Sequence, residues 1–483
     1  MRETIRNQLH LGQVDIGAIK FDPKSRDDIP QLLMGLQHIY VTPEIREKIF
    51  SILEEIIPVD VDSNNGRPGM ALWNIFVSGC IRLDLNIDYD RLHELMNNHK
   101  TIRQMLGHGS FDDDYEYHLQ TVKDNVSLLT PEILDRINQV VVGAGHQLLK
   151  KDDEIVRGKC DSFVVETNVH YPTDTNLLFD AIRRVIALSA EQCRVVFVSD
   201  WRQWKYNTRT LKIQLRKIGK LRKSTSKDEQ KQEKKAKEII EAHYDYLALA
   251  EQCMDKAAKT IAMLRDNYKV DAKFIEPIEE FLVDCYRQSD QIRRRVIEEE
   301  IIPHDEKVFS VFEKHTEWIS KGKAGVPVEL GLRVCVVNDQ YGFILHHRVM
   351  EKETDDKIAV SIVKETQARY SNFASCSFDK GFYSPSNQTE LSQLLDLTVL
   401  PKKGRLNQEE KERQGSAEFR KLKRAHSAVE SGINALEVHG LDRCPDHGIE
   451  SFRRYVALSV VGRNLQMLGA ILQSREREDK KAA

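Results

Sequence analysis

No two of the eight cysteines form a Cys-x-x-Cys pair; they stand singly at positions 80, 160, 193, 253, 285, 335, 376 and 444. That scatter argues against a zinc knuckle and a disulfide framework, leaving reduced core residues. No apolar run approaches the roughly 18 residues that a membrane span needs. The opening MRETIRNQLHLGQ lacks the apolar centre and small-residue cleavage site of a secretory signal. The expectation is a cytoplasmic protein with no membrane partner. An excess of positive charge is missing too: 72 Lys and Arg against 75 Asp and Glu leave −3, a total that says nothing for nucleic acid. No internal repeat is visible.

What is present is unevenly placed. Residues 201 to 237 hold 14 Lys and Arg against 3 Asp and Glu, so this stretch carries +11 and the rest of the chain −14. Within it, WRQWKYNTRTLKIQLRKIGKLRK sets an apolar stripe (Leu211, Leu215, Ile218, Leu221) against a basic face with nearby aromatics. A charged face is usually only solvated, but this density favours phosphate contact through Arg202, Lys205, Arg209, Lys212, Arg216 and Lys217. A second basic patch, PKKGRLNQEEKERQGSAEFRKLKR, brings Lys421, Lys423 and Arg424.

With 483 residues, 41% of them apolar or aromatic, the chain is long enough for several packed units. Residues 1–150 read as helical. VTPEIREKIFSILEEII and LTPEILDRINQVVVGAGHQLL each open on Thr-Pro-Glu, a capping residue followed by a first-turn proline. RPGMALWNIFVSGCIRL and IDYDRLHELMNNH, joined by a short polar link and followed by TIRQMLG, fit a helix-turn-helix or an ordinary bundle equally. At Lys159 the period changes. KCDSFVVETNVHY reads as a strand, and PTD stops it and opens the helix TNLLFDAIRRVIALSAEQ, with Asp174 as its cap. Residues 201–300 look like a long basic helical insertion. Strand signals return with VPVELGLRVCVVNDQYGFILHHRV, where NDQYG, and Asp339 in it, marks a hairpin. A helix, the short strand ASCSF, another helix, the strand LTVL and final helices complete 301–483. The expected fold class is α/β, with a mixed sheet flanked by helices split into 151–200 and 301–483.

Three acids are distinguished by position. Asp161 lies inside a buried-looking strand, where an uncompensated carboxylate is costly. Asp379 follows ASCSF directly and precedes Lys-Gly. Glu430 lies in the helical run EFRKLKRAHSAVESGINALEV, just after the basic cluster. A mixed sheet can bring the end of one strand beside the middle of another, and a crossing helix can aim a glutamate at both. Such a trio suits two divalent cations held by carboxylate oxygen, as in phosphoryl transfer. Glu166, five residues from Asp161, points to the other strand face. Cys444 and His447 in CPDH read as a structural turn.

DSFVVETNVHYPTD, FDKGFYSPSNQ and HSAVESGINALEVHGLDRCPDHGIESFRRYVALSVVGRNLQ resemble the DDE transposases of bacterial insertion sequences, in particular the ISNCY group. The similarity extends to GRPGMALWNIFVSG and YDRLHELMNNH. It implies an RNase H-like catalytic domain with the first acid on the opening strand, the second after the fourth strand and the glutamate on a late helix: Asp161, Asp379 and Glu430. It further implies Mg2+ or Mn2+, double-stranded DNA (element ends and target) as partner, a homodimer or larger assembly on DNA, and cleavage followed by strand transfer. Many relatives carry Tyr-x2-Arg-x3-Glu-x6-Lys around the glutamate, whereas His426 and Glu437 occupy the arginine and lysine places here. Readings that need no such family are a non-catalytic DNA-binding or architectural protein and a stand-alone RNase H-like nuclease.

Overall fold

The computed structural model of the chain describes residues 2–5, 12–57, 69–109, 113–150, 154–223, 228–320 and 327–482. Residues 66–68 of the GRPG stretch, 224–227 of the basic segment and 326 at the head of VPVEL lie outside the described residues. Seven strands form one mixed sheet: β1 (Val156–Thr167), β2 (Glu317–Ser320), β3 (Val328–Asn338), β4 (Ile344–Met350), β5 (Phe373–Phe378), β6 (Leu397–Val399) and β7 (Arg443–Cys444).

The period-two pattern of β1 explains its central place. Phe163 and Val165 enter one apolar core while Val156 and Cys160 enter another, so both faces of the strand are covered. On one side β1 runs antiparallel to β3, with Asp161 opposite Val336, and β3 in turn pairs antiparallel with β4. On the other side β1 runs parallel to β5, with Cys160 opposite Phe378, and β5 runs parallel to β6. β2 joins β3, and the two residues of β7 pair with Glu166 and Thr167 at the end of β1.

The β3–β4 hairpin is held by Asp339, as its Asn-Asp-Gln-Tyr-Gly sequence suggests. Asp339 Oδ1 accepts from the N–H groups of Tyr341 (2.8 Å) and Phe343 (2.9 Å), while Oδ2 lies 2.7 Å from His146 Nε2. Its side chain is fully buried, so this carboxylate is a structural anchor as well as a turn residue.

Helices α1 (Asp28–Val41), α2 (Pro43–Glu54), α3 (Leu72–Asp84), α4 (Tyr89–Asn98), α5 (Lys100–Met105), α6 (Leu119–Val126) and α7 (Pro131–Leu149) precede the sheet. Caps start several of them: Asp88 accepts from Arg91 N–H, and Thr130 from Ile133 N–H ahead of Pro131. α3 is buried on every side, and its Trp73 satisfies its indole N–H on the carbonyl of Met105 at 3.0 Å. Later come α12 (Asp355–Arg369), α13 (Pro385–Leu394), α14 (Gln408–Gly415), α15 (Ala417–His426), α16 (Ala428–Leu436) and α17 (Ile449–Ala482), after α8 (Asp174–Val195), α9 (Trp204–Arg222), α10 (Glu229–Asp266) and α11 (Ala272–Ile292).

The N-terminal helices, α16 and α17 cover the sheet face that carries Phe163, Leu332, Val334 and Val336. α12 and α13 cover the face that carries Cys160, Cys335 and Cys376. None of the eight cysteines forms a disulfide among the described residues, and seven are buried. By length and composition α17 could cross a membrane, although no span is expected from the sequence. In this fold 72% of its apolar window is buried inside the protein.

The chain divides into two compact units, residues 1–168 with 319–483 and residues 169–318. These limits differ from the sequence-derived boundaries at 150, 200 and 300. In the first unit α1, α3 and α7 pack on α17, so the N-terminal helices share a core with the C-terminal helix and the sheet. In the second, α8 packs on α10 and α11 through Leu178, Ile182, Val185 and Ile186, so α8 belongs with the helices after it.

Candidate active site

The parallel register of β1 and β5 pairs Arg157 with Ser375 and Lys159 with Ser377 on one sheet face. One step beyond the last registered pair, Cys160 with Phe378, the chain reaches Asp161 on β1 and Asp379 just past β5. Two acids that are 218 positions apart are thus brought to neighbouring strands. α16 crosses the same face through Val429 and Ile433 and carries Glu430 on its exposed side. All three carboxylates named from the sequence meet in one region.

A fourth, which sequence reasoning missed, is Asp355 at the start of α12. Its Oδ1 accepts from Ser162 Oγ at 2.6 Å, so it approaches from the opposite face of β1. A Cβ at Gly381 would come within 2.8 Å of Asp355 Oδ2. The glycine after Asp379-Lys380 lets the Asp355 carboxylate approach this closely.

Electrostatics tie the group together. Burial pushes the Asp161 carboxyl up to about 6; the N–H of Ser162, donating to Asp161 Oδ1 at 2.8 Å, opposes this, and the charges of Asp379, Asp355 and Glu430 add to it. Asp161 is partly buried whereas Asp379 and Glu430 are exposed, so the cluster opens to solvent at one edge. Among the described residues no three His, Cys, Asp or Glu side chains are closed into a metal-holding group. The carboxylates act on one another's charge without being drawn into one ligand shell. The chemistry of the donors still suits a hard divalent cation, because all are carboxylate oxygens and their crowded charge is what such an ion would neutralise.

Around them stand polar groups of a different sign. Lys159 Nζ donates to the carbonyl of Asp339 at 3.3 Å, and burial lowers its affinity for a proton while Asp339 opposes that. His426 meets Ser377 Oγ through Nδ1 at 3.0 Å; its Nε2 is buried without a partner. Burial holds this imidazole below its usual range, and the charges of Asp379 and Glu430 pull the other way. A cavity of about 230 Å³ lies over β1, β5 and β6, beneath α15, with Lys159, Ser377 and Lys421 on its walls.

The helical run around Glu430 is not continuous. α15 ends at His426 and α16 begins at Ala428, with Ser427 Oγ donating to the carbonyl of Arg424 at 2.8 Å. The interruption separates the helix bearing Lys421, Lys423 and Arg424 from the helix bearing Glu430. All three basic residues are exposed, with Phe419 anchoring their helix.

In the second unit, α9 buries Leu211 and Ile218 and partly buries Leu215 and Leu221, the stripe expected of it. Arg202, Lys205, Arg209, Lys212, Arg216 and Lys217 are all exposed. Only Lys217 of these six is ion-paired among the described residues, with Asp245 at 3.2 Å. Asp174 is not the cap of α8. Thr173 accepts from Asn176 N–H at 3.2 Å, and Asp174 is the first helical residue, paired with Arg295 at 2.9 Å. Cys444 lies on β7 with its thiol toward the Asp446 carbonyl, in keeping with a structural turn.

No protein-family model, curated protein or solved structure matches the chain.

Proposed function

We propose that the protein is a DDE-type transposase that binds the ends of its own element, cuts DNA phosphodiester bonds and joins the freed 3′ hydroxyl to target DNA. The observation that carries this reading is the meeting of Asp161, Asp379 and Glu430 around the end of a parallel strand pair, from three distant parts of the chain. The RNase H-like reading of the sheet is supported by where these acids fall: on the first strand, after the strand parallel to it, and on a late helix over the same face.

Asp161, Asp379 and Glu430 would hold Mg2+ or Mn2+, which when bound activates a water or sugar hydroxyl and offsets charge on the leaving oxygen. The chain's own groups divide the remaining work. Asp161, the most buried of the three, fixes the site to the sheet; exposed Asp379 and Glu430 leave it open to a strand of DNA. Lys421, Lys423 and Arg424 on α15 supply the positive charge that orients a phosphate beside the carboxylates. The exposed cations of α9 track the duplex backbone without reading its sequence.

The experiment uses purified full-length protein, Mg2+ and a plasmid carrying the element's ends. Wild type is expected to cut and join, whereas Asp379→Asn and Glu430→Gln keep end binding and lose cleavage by orders of magnitude. Cutting by both variants at the wild-type rate overturns the reading. Metal-dependent cutting without joining points instead to a stand-alone nuclease.

A further inference from the structure

A second cavity, of about 530 Å³, lies wholly within residues 169–318 and is larger than the one beside the carboxylates. Four aromatic rings line it in a chain. His304 lies 5.5 Å from Phe309, Phe309 5.7 Å from Trp318, and Trp318 5.7 Å from Tyr171, measured between ring centres. Tyr171 is 63% exposed, so its ring is open to a ligand.

Three cations share the lining: Arg222, Arg295 and Lys307. Two acids face them, and both are already matched. Asp174 is paired with Arg295 at 2.9 Å, and Glu300 with Arg294 at 2.7 Å. Arg222 leans on the imidazole of His243 at 3.2 Å, and Lys307 has no ion pair among the described residues. The cavity therefore keeps a surplus of positive charge beside a row of aromatic rings. Its volume falls within the roughly 300–1,000 Å³ of small-ligand sites.

Aromatic rings with cations beside them fit a planar heteroaromatic group joined to an anion, as in one nucleotide of a nucleic-acid strand. A paired base in a duplex is stacked on both sides and cannot enter. We propose that this cavity takes one unpaired nucleotide of a DNA strand, with its base against Trp318 and Tyr171 and its phosphate between Arg222 and Lys307. The proposal rests on the DNA reading above but assigns a separate site, distinct from the carboxylates. It gives the 169–318 unit two modes of contact: the exposed cations of α9 for backbone, this cavity for a base.

The test measures affinity of the full-length protein for a single-stranded oligonucleotide and for a duplex of the same length, by fluorescence anisotropy. Trp318→Ala is expected to weaken single-strand binding about ten-fold and leave duplex binding unchanged. Trp318→Phe keeps a ring face and restores most of the loss. Lys307→Ala lowers the slope of log affinity against log salt for single strands by about 0.7. The proposal is overturned if wild type does not bind single strands, if Trp318→Ala and Lys307→Ala bind them as wild type does, or if Trp318→Phe loses as much as Trp318→Ala. Failure of the transposase reading is seen separately, as the absence of cleavage and end binding on duplex DNA.

Discussion

Replacing Asp161 by Asn removes the charge that the site tolerates least while keeping the side chain's size. Burial first, then the neighbouring charges of Asp379, Asp355 and Glu430, raise its carboxyl from 3.8 to about 6 in the folded protein. At about 1.4 kcal/mol per pH unit, that interval amounts to about 3 kcal/mol of folding free energy. The sign follows from the direction. With a folded value above the unfolded one, Asp161 costs nothing below about pH 3, where it is protonated in both states. The cost grows as pH rises from about 4 to about 6 and is complete near pH 7. Urea unfolding in EDTA at a series of pH values is expected to show wild type and Asp161→Asn equally stable near pH 3. At pH 8 the variant should be more stable by about 3 kcal/mol. Adding Mg2+ should then close the gap from the other side, because a cation held by the cluster stabilises only the chain that keeps its carboxylate. At a concentration one hundred times Kd the gain for wild type is about 2.7 kcal/mol. A variant no more stable than wild type at pH 8, with a gap flat across the series, refutes the account of a crowded carboxylate cluster.

Changing Arg202, Arg209, Lys212 and Arg216 together to alanine should weaken binding to all duplex sequences alike and flatten the slope of log affinity against log salt by about 3 to 4. An unchanged slope would leave α9 as a solvated helix. In the first unit, Arg82 donates to both oxygens of Asp446 at 2.9 and 2.5 Å and lies 3.9 Å from the ring centre of Tyr89, with its side chain 3% exposed. Asp446→Ala should cost about 3 to 5 kcal/mol in chemical unfolding because it strands a buried charge, and adding Arg82→Met should recover much of that. A single variant within 1 kcal/mol of wild type would show that water reaches the guanidinium, as roughly expected only for exposed pairs.

Elements whose cause lies within a few residues were legible in the sequence. Thr-Pro-Glu at 130–132 became a capped helix start, the alternation in CDSFVVET became β1, and the NDQYG turn closed a hairpin. The break between α15 and α16 was not legible, because Ser427 keeps backbone angles near the helical range and every flanking residue suits a helix. The unit boundaries were hidden for another reason. Whether α8 packs on β1 or on α10 and α11 depends on which apolar face meets which, and periodicity shows only that a face exists.

The same division runs through the candidate site. Asp161 and Asp379 stand out locally, since a carboxylate inside or directly after an apolar strand needs a reason. Asp355 gave no such signal: an acid in the first turn of a helix is ordinary, because it suits the partial positive charge there. Only the sheet, by bringing Ser162 Oγ to its carboxylate and leaving no room for a Cβ at Gly381, gives it a second role. His426 follows a similar logic. In the sequence it stands where the transposases that the chain resembles often have an arginine. In the fold its Nδ1 is held by Ser377, leaving a buried Nε2 under the influence of Asp379 and Glu430. Burial favours this imidazole in its neutral form, so the lasting positive charge on the preceding helix is that of the exposed Lys421, Lys423 and Arg424.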